Sequence, residues 1–256
     1  MNITDKQFKF AKENVNLISC RSMAKMLGTT YNILRYQCLK RDITFPKYKN
    51  NGNINLFYNI DKPQIAYLLG FFWADGCIRT GQTGIEISIL YDDGVRLENT
   101  IQNLIKYRKY IRKREGKRKT LTLIINDVLL VKLLKSQFDF HNKNYHFFNL
   151  LTIPTQLKKY FLRGYLDGDG HIAQTKVSFS ASYDCDWNNF ILLLKSIGIV
   201  EYKIRKYIAK ENHKSSTMII NLKNNSCKLL EFIYDGYETD GIGLSRKYNS
   251  FKLYYS

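Results

Sequence analysis

The sequence predicts an α+β fold: two pseudo-twofold-related αββαββα repeats of antiparallel strands, preceded by a small all-α module. Three observations carry this. One order of apolar and alternating segments occurs twice after residue 60. Each occurrence opens on a helix that ends in a compact small-residue and Asp-Gly pattern. The first 45 residues instead read as helices broken at a glycine.

In chain order, residues 1–45 come first. Met23, Ala24 and Leu27 share a short helix that runs into Gly28. Thr29 or Thr30 can cap a second helix with Ile33, Leu34, Cys38 and Leu39 on its apolar face. This is a helix-turn-helix pattern, and the second helix would offer Asn32, Arg35, Tyr36, Lys40 and Arg41 to a major groove. Residues 46–60 open on Pro46, are polar and basic, and read as a linker.

The first repeat is expected over 61–150. DKPQIAYLLGFFWADGCI is a helix with Pro63 in its first turn. GIEISIL reads as a strand, LENTIQNLIK as a helix, YIRKR and RKTLTLII as strands, and DVLLVKLLKSQF as a helix. The second repeat, 151–256, gives the same order: TIPTQLKKYFLRGYLDGDGHI, KVSFSAS, WNNFILLLKSIGI, YKIRKYIA, STMIINL and SCKLLEFIYDGY. The strand directly after each opening helix is short. A unit this long is domain-sized and exceeds a solenoid repeat.

Charge narrows the function. Lys and Arg total 40 against 22 Asp and Glu, a formal net charge of +18. Such an excess points to a polyanion, and nucleic acid is the expected one. A membrane is not: no apolar run reaches spanning length, and the opening MNITDKQFKFAKEN lacks a secretion-signal core. Nineteen Tyr and 15 Phe supply a sizeable core. The five cysteines are scattered without a CxxC pair, so neither a zinc site nor a disulfide framework is indicated. An intracellular reducing compartment is expected, such as the cytoplasm or nucleoid of a bacterium or phage-infected cell.

Chemistry concentrates at the two opening helices. Gly70 and Ala74 are four apart, as are Gly164 and Gly168, so each pair lies on one helix face. Two such faces can meet backbone to backbone. Packing of this kind brings Asp75 and Asp169 together where carbonyl oxygens and partial negative charge collect. Carboxylates with carbonyls are hard oxygen donors that suit Mg²⁺ or Mn²⁺ and phosphodiester hydrolysis. A calcium loop over Asp167-Gly168-Asp169 fails, because Ile172 and Ser178 stand where Gly and Glu are needed. Phosphate-loop and dinucleotide fingerprints are absent. HNKNYH (141–146) lacks the strand-turn-helix setting of a His-Asn-His nuclease.

LLGFFWADG (68–76) and LRGYLDGDG (162–170) resemble the two signature motifs of the LAGLIDADG homing endonucleases, and the likeness covers about 61–256. It implies saddle-like antiparallel sheets, one per half, laid along the DNA major groove with the motif helices as the seam. It implies that Asp75 and Asp169 bind the metal, helped by the carbonyls of Ala74 and Gly168. It also implies a basic residue at each centre, Lys143 in HNKN and Lys247 in SRKY. The activity implied is metal-dependent cleavage of both strands across the minor groove, leaving short 3′ overhangs, by a monomer. The alternative is a binder that does not cut, either an RNA maturase acting on an intron or a transcriptional regulator. Two positions depart from the pattern: Trp73 replaces the first motif acid that Asp167 retains, and His171 follows the second motif.

Alternation nominates the sheet contacts. Arg112 and Arg114 point one way; Arg118, Thr120 and Thr122 form a polar row; Lys203, Arg205 and Tyr207 form another. Basic and hydroxyl groups in rows serve phosphates and base edges together.

Overall fold

The computed structural model describes residues 3–15, 20–45, 53–113, 118–210, 213–220 and 223–255. Three helices come first: α1 (Asp5–Asn14), α2 (Cys20–Met26) and α3 (Tyr31–Leu39). Thr4 and Gln7 form a reciprocal capping box at α1. Gly28 takes φ +63° between α2 and α3, and Thr30 caps α3 through the Ile33 amide at 3.3 Å. The turn chemistry read from the sequence is therefore the one used. Met23, Ala24, Leu34 and Cys38 enclose a small core separate from the main one. Leu39, expected on the apolar face, is exposed because α3 ends there.

Residues 46–52 of the expected linker lie outside the described residues. Its end is not irregular chain. Residues Ile54–Tyr58 form α4, with Phe57 buried and stacked on Phe72. Asn53 anchors this turn by donating its amide to Asp127 and bonding the backbone of Lys106. Aromatic burial overrides the polar look of the preceding stretch.

The first repeat follows: α5 (Pro63–Asp75), β1 (Cys77–Ile78), β2 (Ile85–Leu90), α6 (Tyr91–Ile101), β3 (Arg108–Arg112), β4 (Thr120–Ile125) and α7 (Val128–Gln137). The second has α8 (Lys158–Asp169), β5 (Gly170–Ala173), β6 (Lys176–Ser182), α9 (Asn188–Ser196), β7 (Lys203–Lys210), β8 (His213–Ile220) and α10 (Lys223–Tyr234). Both sheets are antiparallel and share one order, β1-β2-β4-β3 and β5-β6-β8-β7. Two αββαββα repeats with two open sheets are thus present, as the sequence predicts. Strand β3 begins two residues before the expected YIRKR, and α6 begins at Tyr91 rather than in LENTIQ. Two helices close the chain without a counterpart in the expected order: α11 (Tyr237–Asp240) and α12 (Ser245–Tyr255).

Helices α5 and α8 form the centre. Nine consecutive residues of α5, Ile65 to Trp73, are buried. The glycines explain the closeness. A Cβ on Gly70 would lie 2.0 Å from the Phe161 carbonyl, and one on Gly164 would lie 2.0 Å from that of Tyr67. The two approaches are equivalent under the pseudo-twofold axis, since Tyr67 and Phe161 hold matching places in their motifs. Only glycine permits this approach.

Candidate nucleic-acid interface and acidic centre

Tight packing at Gly70 and Gly164 fixes what happens one turn later. A Cβ on Gly168 would meet Ala74 Cβ at 2.4 Å and Asp75 Oδ2 at 3.2 Å. The ends of α5 and α8 therefore touch, and the structure brings Asp75 and Asp169 to one place. Asp75 is exposed and Asp169 is partly buried. The protein packed around them pushes both carboxyls upward. Asp169 reaches about 6, first through burial and then through the nearby Asp75 charge.

A lysine attends each helix end. Lys143 Nζ donates to the carbonyls of Phe72 (3.3 Å), Trp73 (3.2 Å), Ala74 (3.3 Å) and Gly76 (2.5 Å). Lys247 Nζ donates to the Gly170 carbonyl. Gly76 and Gly170 hold the same motif position, so the lysines are placed equivalently. Each ammonium meets the negative end of its helix. Burial lowers both lysines, Lys247 to about 8 with Arg246 adding to the effect; the acids oppose it. The carbonyl of Ala74, expected to serve a metal, is here shared with Lys143.

The loop carrying Lys143 is a short 3₁₀ turn, Phe140–Asn142, and not a His-Asn-His motif. Asp139 closes it, accepting from Asn142 Nδ2 at 3.0 Å and pairing with His146. A cavity of about 290 Å³ lies beside Asp169, lined by Lys143, Asn144, Tyr165 and the serines 180, 182 and 215. His171 lies exposed on β5, and burial followed by the charges of Lys247 and Lys176 lowers its pKa.

Arg246 escaped the sequence reading. Its Nε donates to Asp93 of α6 at 2.6 Å and its Nη2 to the Asp167 carbonyl at 3.5 Å. It therefore ties α12 to the other repeat beside the acids. An Arg next to the expected Lys247 was the available signal. Its partner, Asp93, is distant in sequence and could not be read.

The sheets carry part of the expected polar rows. Strand pairing aligns Arg108 with Ile124 and Glu86, Tyr110 with Thr122 and Ser88, and Arg112 with Thr120 and Leu90. In the other sheet Lys203 aligns with Ile219 and Ser178, Arg205 with Thr217 and Ser180, and Tyr207 with Ser215 and Ser182. The alternate residues Ile87, Leu121 and Leu123, and Phe179 and Met218, pack into the core. Arg112, Arg118, Lys203, Arg205 and Tyr207 are exposed. Thr122, expected to contact DNA, is instead buried, its hydroxyl 2.7 Å from that of Ser88, because β4 packs both of its faces against protein there. Arg108 joins the row unforeseen, because β3 starts earlier than expected. Arg114 lies outside the described residues. On α3, Arg35, Tyr36 and Lys40 are exposed, and Lys40 sits over the Tyr36 ring at 4.8 Å.

A sequence profile described as a LAGLIDADG-like domain matches residues 156–234, from the turn before α8 to the end of α10. The chain contains a LAGLIDADG-like domain. Solved structures resemble the chain to differing degrees. The homing endonuclease I-WcaI bound to its DNA recognition sequence superposes with TM-score 0.52 at 13% identity, over 78% of this chain and 90% of that one. Full-length DUF199/WhiA from Thermatoga maritima gives 0.46 at 18% identity, over 81% and 72%. Mesophilic variants of the homing endonuclease I-DmoI give 0.43 at 14% identity, over 68% and 96%. At 13% identity the likeness to I-WcaI is one of fold. No curated protein sequence matches the chain.

Among the described residues, no group of three or more His, Cys, Asp or Glu is placed to hold a metal ion. No described helix is long and apolar enough to cross a membrane. Among the described residues no disulfide joins the five cysteines.

Proposed function

We propose that this LAGLIDADG-like chain is a site-specific, metal-dependent endonuclease that cuts both strands of a long DNA target and leaves short 3′ overhangs. The observation that carries this reading is the meeting of Asp75 and Asp169 at the α5–α8 seam, each helix end attended by its own lysine. Both motifs lie on one chain, so a monomer completes the site.

The donor set fits Mg²⁺ or Mn²⁺. Two carboxylates held at raised pKa by burial would be relieved by a bound dication, and Mg²⁺ commonly takes one or two carboxylates together with substrate phosphates. Asp75 and Asp169 would hold it, with the carbonyls of Ala74 and Gly168 as further oxygens. When bound, it would supply Lewis-acid activation of water and of the scissile phosphate. The chain's own groups do the rest. Lys143 and Lys247 place ammonium charge where a phosphate would gain negative charge. Exposed Arg, Lys and Tyr of the sheets, with Thr120 beside them, hold the backbone and read base edges. Arg35, Tyr36 and Lys40 of α3 add a separate groove contact.

A second reading has its own support. Lys143 already occupies the Ala74 carbonyl, and the described acids form a pair rather than a larger cluster. The same surfaces could then bind duplex DNA or an intron RNA without cutting.

The deciding experiment is a cleavage selection on a randomised duplex library with Mg²⁺. The endonuclease reading expects sequence-specific double-strand cuts, lost in Asp75→Asn and in Asp169→Asn while binding is kept. Sequence-specific capture without cutting by the native protein favours the binder. Double-strand cutting that survives either substitution removes Asp75 or Asp169 from its role.

A further inference from the structure

Two residues before each acid, the motifs differ: Trp73 in the first and Asp167 in the second. Asp167 is buried. Its Oδ2 accepts from Tyr67 Oη of the opposite motif helix at 2.9 Å and from the Leu244 amide at 2.8 Å. Leu244 immediately precedes α12, and its carbonyl receives the Lys247 amide at 3.1 Å. Gly243 makes the approach possible. It has φ +125°, and a Cβ there would lie 3.1 Å from Asp167 Oδ2. The path from motif to lysine is Asp167, Leu244, Lys247.

The first repeat has the same path in other chemistry. Trp73 packs its ring edge-on to Phe140 at 5.7 Å and against Phe148 at 5.0 Å. Phe140 stands three residues before Lys143, as Leu244 stands three before Lys247. Its carbonyl receives the Lys143 amide at 3.5 Å, and the Lys143 ammonium sits over its ring at 5.0 Å. Trp73 grips Phe140 as Asp167 grips Leu244.

We infer that Trp73 and Asp167 are positioning residues, each holding the backbone that carries the lysine of its own centre, one through an aromatic contact and the other through a carboxylate hydrogen bond. The two centres are thereby separately adjustable, and damage to one clamp falls on one lysine. This inference rests on the proposed roles of Lys143 and Lys247 only for its consequence on cutting; the clamps themselves are independent of any activity.

Two measurements test it on the full chain. Amine-acylation footprinting read by mass spectrometry needs neither DNA nor metal. Asp167→Leu is expected to raise labelling of Lys247 severalfold and leave Lys143 unchanged. Trp73→Leu, and the milder Phe140→Leu should the first not fold, are expected to do the reverse. Asp167→Asn keeps an acceptor oxygen for the Leu244 amide and should label like the native protein. On a duplex that the native protein cuts, labelled separately on each strand, Asp167→Leu should slow one strand and Trp73→Leu the other. A slowing of about ten- to a hundredfold is expected from sub-ångström to ångström misplacement of a charged group, with Asp167→Asn restoring the rate. Equal exposure of both lysines, equal slowing of both strands, or failure of Asp167→Asn to rescue would overturn the inference. A native protein that cuts nothing removes the proposed function instead, and the footprint then decides the clamps alone.

Discussion

Asp169 ends α8 with a carboxyl raised to about 6, and that shift has a sign for stability. Below the ordinary carboxylate range both folded and unfolded chains hold the proton, and Asp169 costs nothing. Between pH 4 and 6 the folded chain keeps the proton that the unfolded chain loses, so stability falls as pH rises. Above 6 the full cost is present. Asp169→Asn removes it, so this variant should be more stable than the native protein at pH 7.5, by on the order of 1–2 kcal/mol, and no more stable at pH 3.5. Calorimetry at both values checks this; equal melting at pH 7.5 would show that the carboxylate is not penalised. At this scale the sequence made Asp75, Asp169, Lys143 and Lys247 legible, because each lies in or at a fixed place around a motif. Arg246 and the clamp at Asp167 were not, because their partners Asp93 and Leu244 lie far along the chain.

The α5–α8 seam is legible at the scale of elements because small residues four apart have few other uses on buried helices. The mutual approach at Gly70 and Gly164 gives it a quantitative test. Gly164→Ala places a methyl 2.0 Å from the backbone carbonyl of Tyr67, which cannot rotate away. The helices must part, and overpacking of this kind costs about 1–3 kcal/mol. Denaturant unfolding should show that destabilisation for Gly164→Ala and a similar one for Gly70→Ala, matching across the pseudo-twofold. If DNA cutting also falls in both variants, the parted seam has separated Asp75 from Asp169. Unchanged stability would mean that the seam is looser than its geometry. The order of helices and strands along each αββαββα unit also came through, since periods of 2 and 3.6 are local properties. Helix α12 did not. SRKYNSFKLYY offers only aromatic rings, Tyr248, Phe251, Tyr254 and Tyr255, to the core, and the first two are held by ring contacts with Tyr234 and Tyr237. Helix α4 escaped for a like reason: Phe57 finds its partner, Phe72, only in the fold.

Across the whole molecule, basic charge is spread over two bodies with separate cores. The helix-turn-helix module encloses Met23, Leu34 and Cys38, while the repeats bury their own residues around α5 and α8. Removal of residues 1–45 therefore leaves the larger core whole. If α3 enters a groove, that removal takes Arg35, Lys40 and their neighbours off the DNA. Each phosphate that α3 no longer neutralises lowers the slope of log K against log salt by about 0.9, so two or three such phosphates reduce it by about 2–3. Binding titrations of the full and shortened chains over a salt series measure this directly. The shortened chain should bind more weakly at low salt, with the difference narrowing as salt rises. It should still cut at the same position, because Asp75, Asp169 and both lysines stay in place. An unchanged slope would mean that the module does not touch the backbone and that the sheets alone carry the charge. A shift of the cleavage position would mean that α3 sets the register of the sheets on DNA, which couples the two bodies more tightly than separate cores imply.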